Sequence, residues 1–406
     1  MTTYKRSTWS LLFSLYATQY VGISFLLVAL VAILRSQGMP LEKLGIVYSL
    51  GIFWVFKFLW APLIDRFSLR RFGHYRTWLL ILQAAMMINL IILGFYNLST
   101  DFVLVMSLCA TFSFFSATQD IAVDGLACRL LNVDSRGVGN GIQQAGTMFG
   151  SLVGSGLVLT IYPTIGWLGS MLLMAGLTSI SWLQLLWYEE PTGKVRPIMG
   201  YKRLLSFWRY VSKPWLVLLF LYPIGGGMAY AIINPMLVDL GWSLSSIGTA
   251  IYLVATPFGI VSALIAGKLI QLVGRRKALL GLMSTQALFL LVLFIPAYGV
   301  NDTLTVYACL ITYFIFHSPI PAVLYTLMMD QTDPSTPATD FTIQASALML
   351  IGIITSGAST ALAGAFGYIA VIWMASTMCV VAFIAVWAVK SIDLQTAPSN
   401  TWTSTN

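Results

Sequence analysis

GIQQAGTM at 141–148, reaching Ser155 and Gly156, lies over TIQASALM at 342–349, reaching Ser356 and Gly357, at a constant offset of 201 residues. Cys109 and Cys309 fall at an offset of 200. An offset near half of the 406 residues marks an internal duplication. The chain therefore reads as two related halves. Working outward from the repeat, apolar runs bounded by charges or turn residues give six spans in each half. They cover residues 10–34, 43–64, 77–96, 102–128, 137–162 and 165–188, then 214–238, 245–272, 278–298, 303–328, 339–364 and 367–389.

Composition agrees with this count. Hydrophobic residues make up 58% and charged residues 9%, against about 45–50% and about 25% in an average soluble domain. Twelve spans of about 20 residues, each able to cross about 30 Å of hydrocarbon, leave no room for a soluble catalytic domain. A cytoplasmic enzyme, a secreted disulfide scaffold and a disordered chain are excluded. Cys109, Cys128, Cys309 and Cys379 all lie in apolar runs without metal or redox spacing and read as small core residues. The first span is too long for a signal-peptide core and is retained as a transmembrane helix.

The net charge of +8 is a matter of topology. With the amino terminus in the cytoplasm, Lys5, Arg6, Arg66, Arg70, Arg71, Arg76, Arg129, Arg136, Lys194, Arg196, Lys202, Arg203, Arg209, Lys213, Lys268, Arg275, Arg276, Lys277 and Lys390 fall at the inner face. Arg35 and Lys43 fall outside and Lys57 lies within a span. This is the positive-inside pattern, so the basic balance needs no nucleic-acid partner. The connection from Asp330 to Ala338 is an exception, carrying acids and no bases.

The expected organisation is a first six-helix bundle at 1–188, a cytoplasmic linker at 189–213, a second bundle at 214–390 and a cytoplasmic tail at 391–406. In the linker, Lys202, Arg203 and Arg209 alternate with Leu204, Leu205, Phe207, Trp208 and Tyr210. Two readings stand: an amphipathic helix on an anionic inner leaflet, or an ordinary basic linker. A monomer is expected.

Ionisable groups at membrane depth are expensive and functional by default. Lys57 lies about seven residues before the inner end of the second span, roughly 10 Å deep at 1.5 Å per residue. Asp120 and Asp124 occupy the same inner half of the fourth span and share a helix face. Two readings remain open: a carboxylate that takes up and releases a coupling proton, or a permanent ion pair between Lys57 and one aspartate.

Two six-helix halves related by an axis along the membrane normal resemble the major facilitator superfamily. The resemblance implies a central cavity lined by spans one, four, seven and ten. Those spans carry Tyr16, Gln19, Tyr20, Phe112, Phe115, Gln119, Tyr222, Tyr230, Asn234, Tyr313, His317 and Tyr325. Aromatic faces with neutral hydrogen-bonding groups suit a bulky organic ligand. His317, beside Ser318, Pro319 and Pro321, either titrates near neutrality or is satisfied by a neighbouring helix. Pro223 with Gly225, Gly226 and Gly227 marks a bending point or a close-packed stretch.

Asp65-Arg66 with Arg70 and Arg71 resembles the superfamily's short inner loop motif, whose acid latches the inner gate against bases and a helix end. Ala61 stands in place of the motif's glycine. In the second half Gln271 stands where the acid is, which speaks against a second latch. Arg129, Asp330 and the repeated Gln143 and Gln344 complete the candidate gating residues.

KFLWAPLIDR at 57–66 and ATQDIAVDG at 117–125 resemble the signature segments of the AmpG and acetyl-CoA transporter group, as do LMMD at 327–330 and ATDF at 338–341. The opening from Tyr16 to Arg35 resembles siderophore permeases of the RhtX/FptX type. That resemblance implies import of an iron-siderophore complex across the bacterial inner membrane; the Asp120 and Asp124 pair motivates coupling to protons, and the distribution of bases puts both termini in the cytoplasm. Muropeptide permeation of the AmpG kind, or facilitated uniport of another bulky solute, is the alternative. Acetyl-CoA would need a basic cavity, and Lys57 is the single base at depth. No cofactor is expected, and no protein metal site, because a siderophore ligates its own iron. H-E-x-x-H, G-x-S-x-G and G-x-x-x-x-G-K-[ST] patterns are absent from the sequence, so enzymatic and ATP-driven readings fall away.

Overall fold

The computed structural model describes residues 6–37, 39, 47–67, 73–98, 100–191 and 200–388. Lys5, Lys43, Arg70, Arg71, Lys194, Arg196, Lys390 and the tail 391–406 lie outside the described residues. The described residues form helices without strands. The first half holds α1 (Arg6–Ser36), α2 (47–66), α3 (His74–Gly94), α4 (Phe102–Leu130), α5 (136–165) and α6 (167–187). The second holds α7 (Lys213–Asp239), α8 (Leu244–Val273), α9 (Arg275–Ala297), α10 (Thr303–Asp330), α11 (337–366) and α12 (368–388). A linker helix, Lys202–Tyr210, lies between them.

The expected boundary between spans five and six falls on Gly166, with φ 65°, inside a segment otherwise helical from Arg136 to Trp187. The boundary between eleven and twelve falls on Gly367, with φ 81°, inside Pro337–Ala388. Only glycine takes such a conformation without a Cβ penalty. Gly166 and Gly367 are 201 residues apart, as are Gly73 (φ 96°) and Gly274 (φ 84°), which open α3 and α9. The duplication is thus written in backbone turns as well as side chains. Ser318 divides α10, with Pro319 and Pro321 beginning a new helical stretch, and Lys57–Leu59 tightens α2 into a 3-10 turn. By contrast, α7 runs helically through Pro223 and Gly225–Gly227. A Cβ at Gly225 would lie 2.6 Å from the Ala375 carbonyl of α12, and one at Gly226 would lie 3.0 Å from the His317 ring. Close packing, rather than a bend, explains those glycines.

Helix α5 is the central strut. Gly146 faces α1, where a Cβ would lie 2.8 Å from the Phe13 carbonyl, and Gly150 and Gly154 continue that contact. Gly137 and Gly141 face α8, where a Cβ on Gly141 would lie 2.8 Å from the Ala263 carbonyl. Small residues four apart let backbones approach where lipid supplies no hydrophobic drive.

The core is distributed unevenly along the membrane normal. At the end rich in bases, one apolar cluster joins the halves, combining Leu12, Ala127 and Leu131 with Trp215, Leu219, Val323 and Phe341. Toward the opposite face the clusters divide. Val21, Phe25, Met86 and Met171 belong to the first half, and Ile232, Leu237, Leu293 and Val371 to the second, with Met148 of α5 crossing over. Dispersion contacts therefore bind the halves together at the basic face.

Gly141→Leu should part α5 from α8 and destabilise the protein by about 1–3 kcal/mol or more. Gly176→Ala, where a Cβ meets nothing within 4 Å, serves as the neutral control. Thermal unfolding of the two purified variants decides; equal melting temperatures would contradict the α5–α8 contact.

Candidate transport and coupling site

Helices α1, α2, α4 and α5 bring a polar cluster together inside the first half. Lys57, on the 3-10 turn of α2, is 3% exposed and pairs with Asp120 of α4. Its ammonium also lies 5.1 Å from the centroid of the Trp54 ring, a favourable cation–π distance. The Gln19 amide of α1 donates to the other oxygen of Asp120. One turn along α4, Asp124 is 1% exposed and has a different environment. It accepts from the Tyr16 hydroxyl at 2.9 Å and the Gln143 amide at 3.3 Å. No ion pair to Asp124 is present among the described residues. The two carboxylates thus differ: Asp120 pairs directly with the lysine, whereas Asp124 is hydrogen-bonded by neutral donors and feels the same lysine from beyond ion-pair distance. The amide oxygens of Gln19, Gln119 and Gln143 are buried without partners among the described residues, so the cluster offers more acceptors than donors there.

The expected cavity residues fall into two sets. Tyr16, Gln19, Gln119, Tyr222 and Tyr313 are buried. The Gln119 amide donates to the Leu15 carbonyl at 3.4 Å and the Tyr313 hydroxyl to the Gly226 carbonyl at 3.1 Å, while the Tyr222 hydroxyl has no partner. Tyr20, Phe115, His317 and Tyr325 are half-buried, and Tyr230 and Asn234 are exposed. Tyr20 meets Trp54 edge-on at 5.6 Å, and Phe112 packs against Gly22. Tyr325, from the second half, meets Phe341 at 6.1 Å. His317 stacks between Tyr313, at 5.0 Å, and Tyr230, at 6.0 Å. Its Nδ1 lies 3.1 Å from the Gln286 amide of α9. This histidine is thus satisfied by a neighbouring helix, one of the two readings the sequence left open.

At the basic face, Asp65 at the end of α2 reaches the second half. It accepts from the Thr339 amide at 2.8 Å, the Thr339 hydroxyl at 2.6 Å and the Ala338 amide at 3.3 Å, and from Tyr75 at 2.6 Å. A carboxylate on the first turn of α11 meets orphan N–H groups and the positive end of the helix dipole. Arg66 lies over the Phe67 ring at 5.6 Å. A second tie exists despite Gln271: Asp330 of α10 takes Arg136 of α5 at 2.8 Å and pairs with Arg275 of α9. Arg275 also donates to the Val133 carbonyl at 2.7 Å. The acid sits on α10 rather than in the α8–α9 loop, so a search by repeat position misses it.

The remaining gating candidates act within one half. Arg129 pairs with Glu190 at 3.1 Å, beyond α6. Glu190 also caps the Arg76 amide at 2.9 Å, and burial pushes its carboxyl above the ordinary range. Gln143 serves Asp124, while Gln344 accepts from Trp215 at 2.9 Å and donates to the Met328 and Asp340 carbonyls. Sequence reading also missed Arg203 of the linker helix, which pairs with Asp340 at 2.5 Å. No local signal marks a contact between residues 137 apart.

With this geometry described, comparison with known proteins is informative. The Major Facilitator Superfamily model matches residues 12–238 and 215–403. The chain belongs to that superfamily. Its members' fold recurs in the human organic anion transporter MFSD10, with a TM-score of 0.74 at 13% identity over 94% of this chain and 99% of that one. The Escherichia coli fucose:proton symporter FucP gives 0.72 at 11% identity over 94% and 98%. In sequence, the anhydromuropeptide permease of Escherichia coli K12 is 30% identical over 253 residues, 60% of this chain and 51% of the permease. Putative transporter AmpG 1 of Rickettsia bellii is 25% identical over 296 residues, 67% of this chain and 71% of that protein. The alignment thus spans about half the length of the Escherichia coli relative. The chain is thus a superfamily member whose described helices are long and apolar enough to cross a membrane several times.

Asp120→Asn should leave the Lys57 ammonium buried without a counter-charge and cost about 3–5 kcal/mol. Lys57→Met combined with Asp120→Asn should recover most of that loss. If the double variant melts no higher than Asp120→Asn, the pair does not hold α2 to α4.

Proposed function

We propose that the protein imports muropeptides, sugars carrying a short peptide, across the bacterial inner membrane by alternating access coupled to protons. Asp124 carries the proton. The observation behind this reading is the contrast between neighbouring carboxylates: Asp120 pairs directly with Lys57, while among the described residues Asp124 accepts hydrogen bonds from the Tyr16 hydroxyl and the Gln143 amide and feels Lys57 from beyond ion-pair distance. A buried carboxylate whose neighbouring cation is engaged by another acid is the better placed of the two to take up a proton. Asp120 and Lys57 act as a structural pair.

The muropeptide assignment rests on the names of the Escherichia coli and Rickettsia relatives. Tyr20 and Tyr230 offer ring faces to a sugar, and the unpaired amide oxygens of Gln19, Gln119 and Gln143 offer acceptors to its hydroxyl and amide donors. Iron-siderophore import, expected from the opening segment, has no counterpart in those names. The basic face is cytoplasmic by the positive-inside rule, which puts both termini on that side. Asp65 and Asp330 close the inner gate.

Uptake of a labelled anhydromuropeptide into vesicles, with the voltage clamped and a pH gradient imposed, tests both parts. Wild type should accumulate the label above equilibrium, and Asp124→Asn should equilibrate it without accumulation. Accumulation by wild type that ignores the gradient would leave facilitated uniport or another driving ion. Absence of any uptake would reject the substrate.

A further inference from the structure

The linker helix has two faces of opposite character. Arg203 is 3% exposed, and its guanidinium clamps Asp340 through Nε at 2.7 Å and Nη2 at 2.5 Å. One turn on, Phe207 is fully buried in the core shared by the two halves. These residues dock the helix beneath α11. The opposite face carries Lys202, Leu205 and Arg209, spaced three and four apart, flanked by Tyr201 and Trp208. All five are exposed, Leu205 to 78%.

Water suits the bases of this face but not its leucine and aromatic rings. A headgroup layer suits both. The position of Trp208 places the face at that layer. Its ring stacks on Phe220 at 6.2 Å and 29°, and Phe220 belongs to the exposed outer surface of α7 together with Val217. The apolar part of the linker helix therefore continues the lipid-facing surface of a spanning helix. Lys202, Arg209 and Lys213 lie where that surface ends. Tryptophan and tyrosine favour this depth, and the bases complement anionic phosphate.

We propose that Tyr201, Lys202, Leu205, Trp208 and Arg209 form a binding surface for anionic phospholipid headgroups of the inner leaflet, and that lipid bound there steadies the inner gate. The connection runs through two adjacent residues. Asp340, clamped by Arg203, follows Thr339, whose amide and hydroxyl are held by Asp65 of the other half. Anchoring the linker helix in the leaflet restrains Arg203, which restrains the first turn of α11, which keeps Thr339 against Asp65. Loss of the lipid contact frees that turn to leave Asp65.

The test needs no transport substrate. The full chain is placed in nanodiscs of phosphatidylcholine alone or with phosphatidylglycerol, and retained lipids are counted by native mass spectrometry after mild release. Wild type should retain phosphatidylglycerol in preference. Lys202→Gln with Arg209→Gln, which leaves Arg203 and Phe207 in place, should bind it at least about five-fold more weakly, the effect of one basic side chain near a charged leaflet. Hydrogen exchange of the 336–341 amides should be slower with phosphatidylglycerol in wild type and indifferent to lipid in the double variant. Equal retention of the two lipids, or undiminished binding by the double variant, would overturn the binding surface. Preferential binding with unchanged exchange at 336–341 would overturn its link to the gate.

Discussion

At the basic face, the first turn of α11 and the approach to it are held from three directions. Asp65 comes from the first half, Arg203 from the linker helix, and Arg136 and Arg275 grip Asp330 at the end of the preceding helix. The acidic connection that stood out among basic loops is thereby explained in part, because Asp330 at its start is the counter-charge for Arg136 and Arg275, and Asp340 just beyond it is the counter-charge for Arg203. Charges withdrawn from water are costly to leave unpaired, and here they satisfy one another. Their mutual satisfaction brings the halves together at this face, and the apolar cluster around Leu131, Leu219 and Phe341 packs behind them. Separation of the cores toward the other face then follows, since the two halves share a closed end.

Within that closed arrangement, the polar cluster of the first half sits under the division between the cores. The Lys57–Asp120 pair is electrically complete. Asp124 is not, and its donors come from α1 and α5, helices in contact through glycines rather than interlocked side chains. A relative movement of α1 reaches both carboxylates, Asp124 through Tyr16 and Asp120 through Gln19, but a movement of α5 reaches Asp124 alone, through Gln143, while Lys57 of α2 stays with Asp120.

Much of this was legible in the chain. Apolar run length gave the spans to within a few residues, and helical periodicity placed Asp120 and Asp124 on one face near Lys57. Those inferences work because span length and helix pitch are local quantities. Which aspartate Lys57 chooses depends on the 3-10 turn at Lys57–Leu59, a detail no periodicity encodes. Likewise, Arg136 and Arg275 looked like topology signals because a base at a helix end serves orientation and gating equally well. The partners of Asp65 were legible in kind, as a helix end, but the contribution of Tyr75 required α3 to begin at His74, three residues before the apolar pattern implied.

Gly73 and Gly166 are separated by the same number of residues as Gly274 and Gly367, so each position between them has a counterpart in the other half. Across that correspondence the two halves have divided their labour. Asp120 answers to Pro321, Asp124 to Tyr325 and Arg129 to Asp330. Where the first half keeps a salt bridge the second keeps a helix break, where the first keeps a carboxylate the second keeps a phenol, and at the helix end the sign of the charge is inverted. The ancestral symmetry survives in the turns, which tolerate little but glycine, and has been lost in the side chains between them. At corresponding places one half thus holds a group that can carry charge and the other a group that keeps a neutral ring.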